Sequence, residues 1–147
     1  MPIIEAGFVA KDGSPDNDQL VIYGPTILVV VSHFNNQDAP SLKAKALIDS
    51  GACESCIDNR IANELQLPVV DVMNIAGVGG VKEHPVYLAH IYIPTLERYQ
   101  YGKFAGADLI ASGQPHGVLM GRTFLQGVIM IYDGIRSQVT VAGNKAV

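Results

Sequence analysis

The chain has 147 residues and a net charge of -4 at pH 7, with ten Lys and Arg residues scattered singly. This length suits one domain, and so few basic residues argue against a nucleic-acid partner. Hydrophobic residues make up 48% of the sequence, enough for a packed core, yet no apolar stretch approaches the ~20 residues of a membrane-spanning helix. The two cysteines cannot staple a domain of this size, which excludes a disulfide scaffold.

Charged residues are scarce, at 16% against a typical ~25%, so the chain has less polar surface than a lone monomer usually carries. This deficit indicates that a partner subunit covers part of the surface. The sequence does not open with a basic segment followed by an apolar one, as a secretory signal would. We therefore expect a cytoplasmic protein with no membrane segment within this chain.

Glycine and proline divide the sequence into short apolar runs rich in Val, Ile and Tyr, which is typical of an all-β domain. A polar, turn-rich segment near the start predicts that residues 1–18 form a mobile N-terminal arm, so the domain itself spans residues 19–147. The predicted strands are Gln19–Tyr23, Thr26–Ser32, Leu42–Ile48, Val69–Ile75, Val86–Ile93, Gly117–Met120, Val128–Tyr132 and Gln138–Ala142.

Three kinds of segment interrupt the β pattern. Short helices are predicted over Asn59–Leu67, whose apolar residues share one side, and over Gly121–Gln126. Asp133-Gly134 predicts the turn of a hairpin, because this pair tolerates the backbone angles of tight turns. Gln100–Gln114 is expected to be a loop.

The most informative segment is Ala46-Leu47-Ile48-Asp49-Ser50-Gly51-Ala52, in which an apolar strand ends in a carboxylate. The strand holds Asp49, Gly51 permits a sharp turn, and Ala52 allows close backbone approach. An aspartate held in this way is rigid and partly desolvated, which suits catalysis. Because Asp-Ser-Gly also occurs in plain turns, this segment alone leaves a catalytic and a structural role open.

Two further segments favour the catalytic role of Asp49 over the structural one. Val118-Leu119-Met120-Gly121-Arg122-Thr123-Phe124-Leu125 joins an apolar strand to a helical turn through Gly-Arg, and the glycine-rich Ile75-Ala76-Gly77-Val78-Gly79-Gly80-Val81 lies between the two blocks. In order and spacing, the three segments resemble the retropepsin-like aspartic proteases, a retroviral-type, single-lobe family, over Thr26 to Val141. The departure from that family is Ser50, where threonine is commoner. Serine keeps the hydroxyl by which the family locks two active-site loops together.

The resemblance implies an all-β, closed β-barrel or sandwich lobe with one or two short helices and an active site at a two-fold dimer interface. The chain has one such Asp loop, so a homodimer would set Asp49 beside its symmetry mate as the catalytic pair. No metal or cofactor is required. The resemblance assigns Ser50, Gly51 and Ala52 to the active-site loop, Gly77, Val78, Gly79 and Gly80 to a flap that binds substrate, and Leu119, Met120, Gly121 and Arg122 to a supporting block.

The resemblance thus predicts an aspartic endopeptidase that cleaves extended polypeptides with mostly apolar side chains around the cleaved bond. Two carboxylates ~4 Å apart repel by roughly 4 kcal/mol at an effective dielectric constant of about 20, so the pair shares one proton. The ionised member would activate a water, and the protonated member would donate to the scissile carbonyl. Activity is then expected at mildly acidic pH.

Two other function classes remain open. A non-catalytic, dimeric peptide-binding or scaffolding module on the same fold is favoured by Ser50 and by the Gln100–Gln114 loop. A thiol redox protein would use Cys53-Glu54-Ser55-Cys56, whose spacing also occurs in zinc sites. The four histidines are isolated and add no ligands at suitable spacing, so we expect structural thiols, with redox modulation of the Asp49 loop as the alternative. His116, in a loop, is expected at the surface or behind the site.

Overall fold

A computed structural model of the chain describes residues 3–5, 8–9, 15–34 and 38–143. Within these residues the strands are β1 (Ile3–Glu5), β2 (Phe8–Val9), β3 (Pro15–Asp16), β4 (Thr26–Ser32), β5 (Leu42–Ile48), β6 (Cys56–Asp58), β7 (Val69–Gly77), β8 (Gly80–Ile93), β9 (Arg98–Ala107), β10 (Val118–Met120), β11 (Val128–Asp133) and β12 (Gln138–Gly143). The α-helices are α1 (Leu20–Tyr23), α2 (Asn59–Glu64) and α3 (Arg122–Leu125), and 3-10 turns span Asn17–Gln19 and Pro94–Leu96. The prediction of a mostly β fold with few short helices is confirmed.

Six strands close into a barrel. Their order around the sheet is β4-β5-β10-β6-β9-β8, and β8 pairs back onto β4. The closing register joins Val30 to Tyr92 and Ser32 to His90 in antiparallel pairing. β7 continues the sheet beyond β8 as the outer strand of a long hairpin. The free edge of this sheet therefore lies on β7.

The barrel interior holds the hydrophobic core. On β4, Ile27, Val29 and Val31 are buried, as the two-residue period of a strand with one buried face requires. The other barrel strands contribute further members of the same cluster, among them Ile48, Ile57, Ile91, Phe104 and Met120. α2 adds Ile61 and Ala62, and β12 adds Val139 and Val141. The second sheet, of order β1-β12-β11, therefore packs against the barrel core.

The strand predicted over Gln19–Tyr23 is wrong, because these residues form the end of a 3-10 turn followed by α1. The backbone N–H of Gly24 donates to the carbonyl of Leu20 at 2.8 Å and closes the helical turn, and Gly24 has a φ of +80°. Leu20 is buried while Val21 and Ile22 are exposed, so the segment lacks the alternating burial of a strand.

The loop predicted over Gln100–Gln114 is also wrong in its first half, which belongs to β9. Along β9, Tyr99, Tyr101 and Lys103 are exposed while the residues between them turn inward. The inward positions at the start of the strand hold Arg98, Gln100 and Gly102, which are not apolar. The alternation is therefore present in the burial and hidden in the sequence.

Several other boundaries agree closely with the prediction, whereas β8 begins at Gly80, six residues before the predicted Val86, and β7 ends at Gly77 and not at Ile75. β4 and β5 have the predicted bounds, and β10, β11 and β12 differ from it by one residue. α2 is shorter than predicted and begins after Asp58, whose buried carboxylate accepts the backbone N–H groups of Arg60 and Ile110, both at 2.8 Å. The Asp133 hairpin turn is confirmed, and Arg136 forms an ion pair with Asp133 across it at 3.0 Å.

The predicted N-terminal arm is described only in part. Ile3–Glu5 pairs antiparallel with β12, and Phe8–Val9 pairs with Pro15–Asp16. The arm's other residues before Pro15 lie outside the described residues, and its mobility stays a prediction. In the described part of the chain, no helix is long and apolar enough to cross a bilayer.

His116 is fully buried beside Thr26, behind the barrel wall and away from the surface. The Thr26 hydroxyl donates to the carbonyl of Gly24 at 3.0 Å, so it accepts from Nε2 of His116 at 2.8 Å, and the neutral ring carries its proton on that nitrogen. Burial, aided by the charge of Lys45, lowers the pKa of His116 from 6.5 to about 4.

This lowered pKa predicts a specific acid sensitivity. The unfolded chain binds a proton at His116 near pH 6.5 and the folded chain does so only near pH 4, so stability is complete above pH 6.5 and falls as the pH drops through this window. The shift corresponds to a loss of about 3 kcal/mol of unfolding free energy. Urea unfolding of wild type and His116→Gln at pH 7 and pH 4 measures it. Glutamine keeps an N–H donor and does not titrate, so equal pH dependence in both proteins would contradict the assignment.

Candidate active site

Asp49 lies immediately after β5, where the strand ends. Its backbone N–H donates to the carbonyl of Met120 at 2.9 Å, which continues the pairing of β5 with β10 by one residue. Its carboxylate is half-buried, and Oδ1 accepts the backbone N–H of Gly51 at 2.8 Å. A Cβ at position 51 would lie 3.1 Å from that oxygen, so glycine leaves room for the turn. The aspartate is thus held by its own loop, with one carboxylate oxygen facing away from this bond.

Parallel pairing of β5 with β10 brings the two sequence blocks together. The register joins Ala46 to Val118 and Ile48 to Met120. Because both strands run in the same direction, the segments that follow them, beginning at Asp49 and at Gly121, emerge at the same end of the barrel. The predicted supporting block therefore lies directly against the Asp49 loop.

The loop after Asp49 satisfies the first backbone groups of α3. The N–H of Arg122 donates to the carbonyl of Ala52 at 2.8 Å, and that of Thr123 donates to the carbonyl of Cys53 at 3.1 Å. These are N–H groups that a helix leaves without an internal partner. The Arg122 guanidinium donates in turn to the carbonyl of Ser50 at 3.0 Å. Three hydrogen bonds therefore tie residues 50–53 to the start of α3.

Ser55 is a central residue of the site that sequence reasoning did not identify. Its buried hydroxyl accepts the N–H of Gly121 at 3.1 Å and the side-chain amide of Gln100 at 3.4 Å, and it lies 3.4 Å from the hydroxyl of Thr123. The sequence offered only a weak signal for this role. Ser55 lies between two cysteines, and Gln100 lies in a segment that was predicted to be a loop.

The glycine-rich segment forms the tip of the β7–β8 hairpin. Gly77 pairs with Gly80, and Val78 and Gly79 make a two-residue turn in which Val78 is fully exposed. Gly80 has a φ of +99°, a conformation that favours glycine. Both strands extend further toward the tip than predicted, so the segment is a strand-to-strand turn on a long hairpin.

A cleft of about 510 Å³ lies between this hairpin and the Asp49 loop. Its walls are residues 73–76 of β7 on one side, and Gly51, Ala52, Cys53, Glu54, Cys56 and Arg122 on the other. The structure thus brings the active-site loop, Arg122 and the hairpin strand around one cleft. Asp49 itself and the hairpin tip at residues 77–80 do not line it.

Both cysteines line the cleft as free thiols, Cys53 exposed and Cys56 buried. Burial, together with the charges of Asp49 and Glu54, raises the pKa of the Cys56 thiol to about 11. A redox-active cysteine needs the opposite shift, toward the thiolate. The environment of Cys56 therefore opposes the thiol-redox hypothesis. Among the described residues, no three His, Cys, Asp or Glu side chains cluster so as to hold a metal ion.

Exposed apolar side chains of α1 lie near the end of β5, where Asp49 follows. Val21 and Ile22 of α1 have exposed fractions of 85% and 65%. α1 leads through Gly24 to Pro25, whose carbonyl accepts the N–H of Ile48 at 2.9 Å, one residue before Asp49. An apolar surface therefore adjoins the end of β5.

No protein-family model matches the sequence, and neither does any curated protein sequence. Similarity is found to solved structures. EIAV protease complexed with the inhibitor HBY-793 is 24% identical with a TM-score of 0.49, covering 69% of this chain and 85% of that one. Simian foamy virus (mac) protease is 17% identical with a TM-score of 0.46, covering 69% and 91%. The retroviral protease-like domain of Ddi1 from Leishmania major is 18% identical with a TM-score of 0.41, covering 80% and 93%. At these values the activity has to be argued from the site.

Gly121 is predicted to tolerate no larger residue. A Cβ there would lie 2.6 Å from the carbonyl oxygen of Glu54 and 2.9 Å from those of Ala52 and Cys53, all of them backbone atoms that cannot turn away. We expect Gly121→Ala to lower the unfolding free energy by roughly 1–3 kcal/mol. The matched control is Gly77→Ala, whose Cβ would meet nothing within 4 Å and should change stability by less than about 0.5 kcal/mol. Equal urea midpoints for the two variants would contradict the close packing of this loop.

Proposed function

We propose that this chain is an aspartic endopeptidase of the retropepsin-like type, that it works as a homodimer, and that Asp49 is its catalytic residue. The observation that carries the proposal is the junction between the Asp49 loop and the start of α3. It holds the half-buried Asp49 at the end of a paired strand, beside a cleft of about 510 Å³ that can take part of a polypeptide.

The reaction requires two carboxylates in different protonation states. One must accept a proton from the attacking water while the other donates a proton to the carbonyl oxygen of the scissile bond. The sequence contains one Asp-Ser-Gly loop of this kind, so a second copy of the chain would supply the other carboxylate. Two such groups in contact share one proton, which produces the asymmetry without a metal or a covalent intermediate.

Two surface features support a dimer through the Asp49 end of the barrel. Val21 and Ile22 expose apolar side chains there, and burying them against a second copy would be favourable by about 25 cal/mol per Å². The exposed Ser50 hydroxyl has no hydrogen-bond partner within the described part of the single chain, so it is available to the loop of a partner. The low fraction of charged residues, 16%, agrees with this arrangement.

The cleft supports an extended peptide as substrate. β7 has a free edge, and an extended chain could add to it as a further strand. The walls are mainly apolar, with Ala52, Met73 and Ile75 among them, while Glu54 and Arg122 supply the charged groups. The substrate side chains next to the cleaved bond would accordingly be mostly apolar. The hairpin tip at Gly77–Gly80 would act as a flap that excludes water.

The alternative, a dimeric peptide-binding module without catalysis, loses one of its two supports. The loop that favoured it, Gln100–Gln114, is replaced over residues 100–107 by β9. Its remaining support is Ser50 in place of threonine. Peptide binding without cleavage by folded, dimeric wild type would still favour this alternative.

Substitution of Asp49 tests the proposed chemistry. We expect wild type to cleave members of a mixed peptide library between about pH 4 and 7, and Asp49→Asn to reduce the rate by about 10²–10⁴-fold because the amide neither accepts nor donates the required proton. The matched control is Asp108→Asn, an exposed aspartate whose side-chain carbonyl can still accept the Asn59 hydrogen bond. Peptide binding without cleavage by folded, dimeric wild type would favour the alternative, and a rate that rose steadily into alkaline pH would refute proton sharing.

Substitution of Ile22 tests the dimer. Ile22→Asp adds a charge to the apolar surface beside Asp49 and should weaken association by at least about tenfold, with activity recovering at higher protein concentration. Light scattering at matched concentrations measures the change. The control is Ile135→Asp in the β11–β12 turn, a position 99% exposed. If the control dissociates the dimer and Ile22→Asp does not, the interface lies at that hairpin and the proposed one is wrong.

A further inference from the structure

A second concave site lies on the outer face of the barrel. It is a pocket of about 410 Å³ over β4, β8 and β9, lined by Val30 and Ser32 of β4, His90 and Tyr92 of β8, and Tyr99 of β9, with Phe34 at its side. A pocket of this volume is within the range that accommodates a ligand or a few residues of peptide. The residues belong to none of the segments that form the proposed active site.

Aromatic rings shape this site over β4, β8 and β9, which we call the aromatic pocket. The rings of Tyr92 and Tyr99 stack with centroids 4.7 Å apart and an interplanar angle of 26°, and His90 lies against Tyr99 at 4.9 Å. Beside them, Phe34 contacts Tyr101 edge-on at 5.6 Å. Tyr99 is 44% exposed and Tyr101 is 61% exposed. The result is a row of flat aromatic surfaces that is partly exposed to solvent.

The aromatic pocket is remote from Asp49. β4 and β5 are antiparallel, with Val31 opposite Leu42, so the pocket lies beside the start of β5 while Asp49 follows its end. The seven residues from Leu42 to Ile48 span ~20 Å of extended strand. Binding at the pocket is therefore separable from peptide hydrolysis at Asp49.

The pairing of β4 and β8 excludes one common way of binding peptide on these two strands. In this region β4 lies between β5 and β8, and β8 lies between β4 and β9, whereas β9 pairs with β6 only over Ala105–Ala107. β4 and β8 therefore have no free edge beneath the pocket to which a peptide could add as a strand. Recognition over these two strands comes from side chains.

The polar groups of the pocket suit a ligand that accepts hydrogen bonds. His33 also lines the pocket, with its Nε2 2.6 Å from the carbonyl of Leu65, and none of the described lining residues is Asp, Glu, Lys or Arg. Burial lowers the pKa of His90, so its ring is neutral near pH 7, and Nδ1 lies 3.3 Å from the hydroxyl of Ser32. Within the described part of the chain, the hydroxyls of Tyr92 and Tyr99 have no hydrogen-bond partner, which leaves them available as donors.

We propose that the aromatic pocket binds a proline-rich segment of a partner protein in the polyproline II conformation. Proline rings pack on flat aromatic faces, and the polyproline II backbone has its carbonyl groups free to accept hydrogen bonds from tyrosine hydroxyls. A proline lacks the backbone N–H that strand addition would use, so the paired strands beneath the pocket cost such a ligand nothing. A described lining without Asp, Glu, Lys or Arg matches an uncharged ligand.

The test is titration of the full chain with decaproline, followed by NMR or calorimetry. We expect saturable binding, no comparable binding of a Gly-Ser peptide of equal length, and at least about tenfold weaker binding by Tyr99→Ala because the stacked surface is lost. Tyr99→Phe keeps the ring and should lose only the part that depends on the hydroxyl. The matched control is Tyr132→Ala, an exposed tyrosine on β11 of the other sheet, which should bind as wild type does.

Three results would overturn this proposal: a folded wild type that does not bind decaproline at millimolar concentration, equal binding of the Gly-Ser peptide, or binding that Tyr99→Ala leaves unchanged. If a small aromatic compound binds and decaproline does not, the proposal is also overturned. Asp49→Asn should bind decaproline as wild type does. The pocket and the proposed hydrolysis can therefore fail independently.

Discussion

The parallel pairing of β5 with β10 is the constraint on which the candidate site depends. Ile48 pairs with Met120, and the chain turns immediately afterward in both strands, at Asp49 and at Gly121. Parallel neighbours cannot be joined by a tight turn, so the long chain between them is free to build β6, α2, the β7–β8 hairpin and β9. The parallel pairing thus delivers the carboxylate and the glycine against which its loop packs, and the chain between the two strands supplies the hairpin that walls the cleft. No single segment of the sequence contains this arrangement.

Much of the fold could be predicted because many of its strands are short apolar runs bounded by glycine, proline or polar residues. Thr26–Ser32 is the clearest case, and its bounds agree with the structure. The strand predictions fail where the burial of a residue does not follow from its hydropathy. β9 turns Arg98, Gln100 and Gly102 inward, so its alternation is invisible in the sequence, whereas Gln19–Tyr23 has the composition of a strand and forms a helical turn closed by Gly24. Tertiary pairing decided β9 against local propensity, and a local hydrogen bond to Gly24 decided the helical turn.

The sequence predicted the segments that form the candidate site, but not how these segments are arranged in space. Asp49 and the Gly121–Arg122 pair were identified from their motifs, and the structure brings them together. The contribution of Ser55 was not predictable, because a hydroxyl becomes a hydrogen-bond centre only when the Gly121 N–H and the Gln100 amide are folded against it. His116 illustrates the same point, since its burial follows from the position of Thr26, ninety residues earlier in the chain.

The proposed sharing of a proton between two Asp49 side chains requires that no cation pairs with this carboxylate. A guanidinium in contact with Asp49 would stabilise the ionised form and prevent the pair from holding a proton. The Arg122 guanidinium donates to the carbonyl of Ser50 instead, and within the described residues Asp49 forms no ion pair. The nearby Cys56 remains a neutral thiol because burial and the charges of Asp49 and Glu54 raise its pKa. The surroundings of Asp49 in the single chain are therefore compatible with the proposed pairing with a second Asp49.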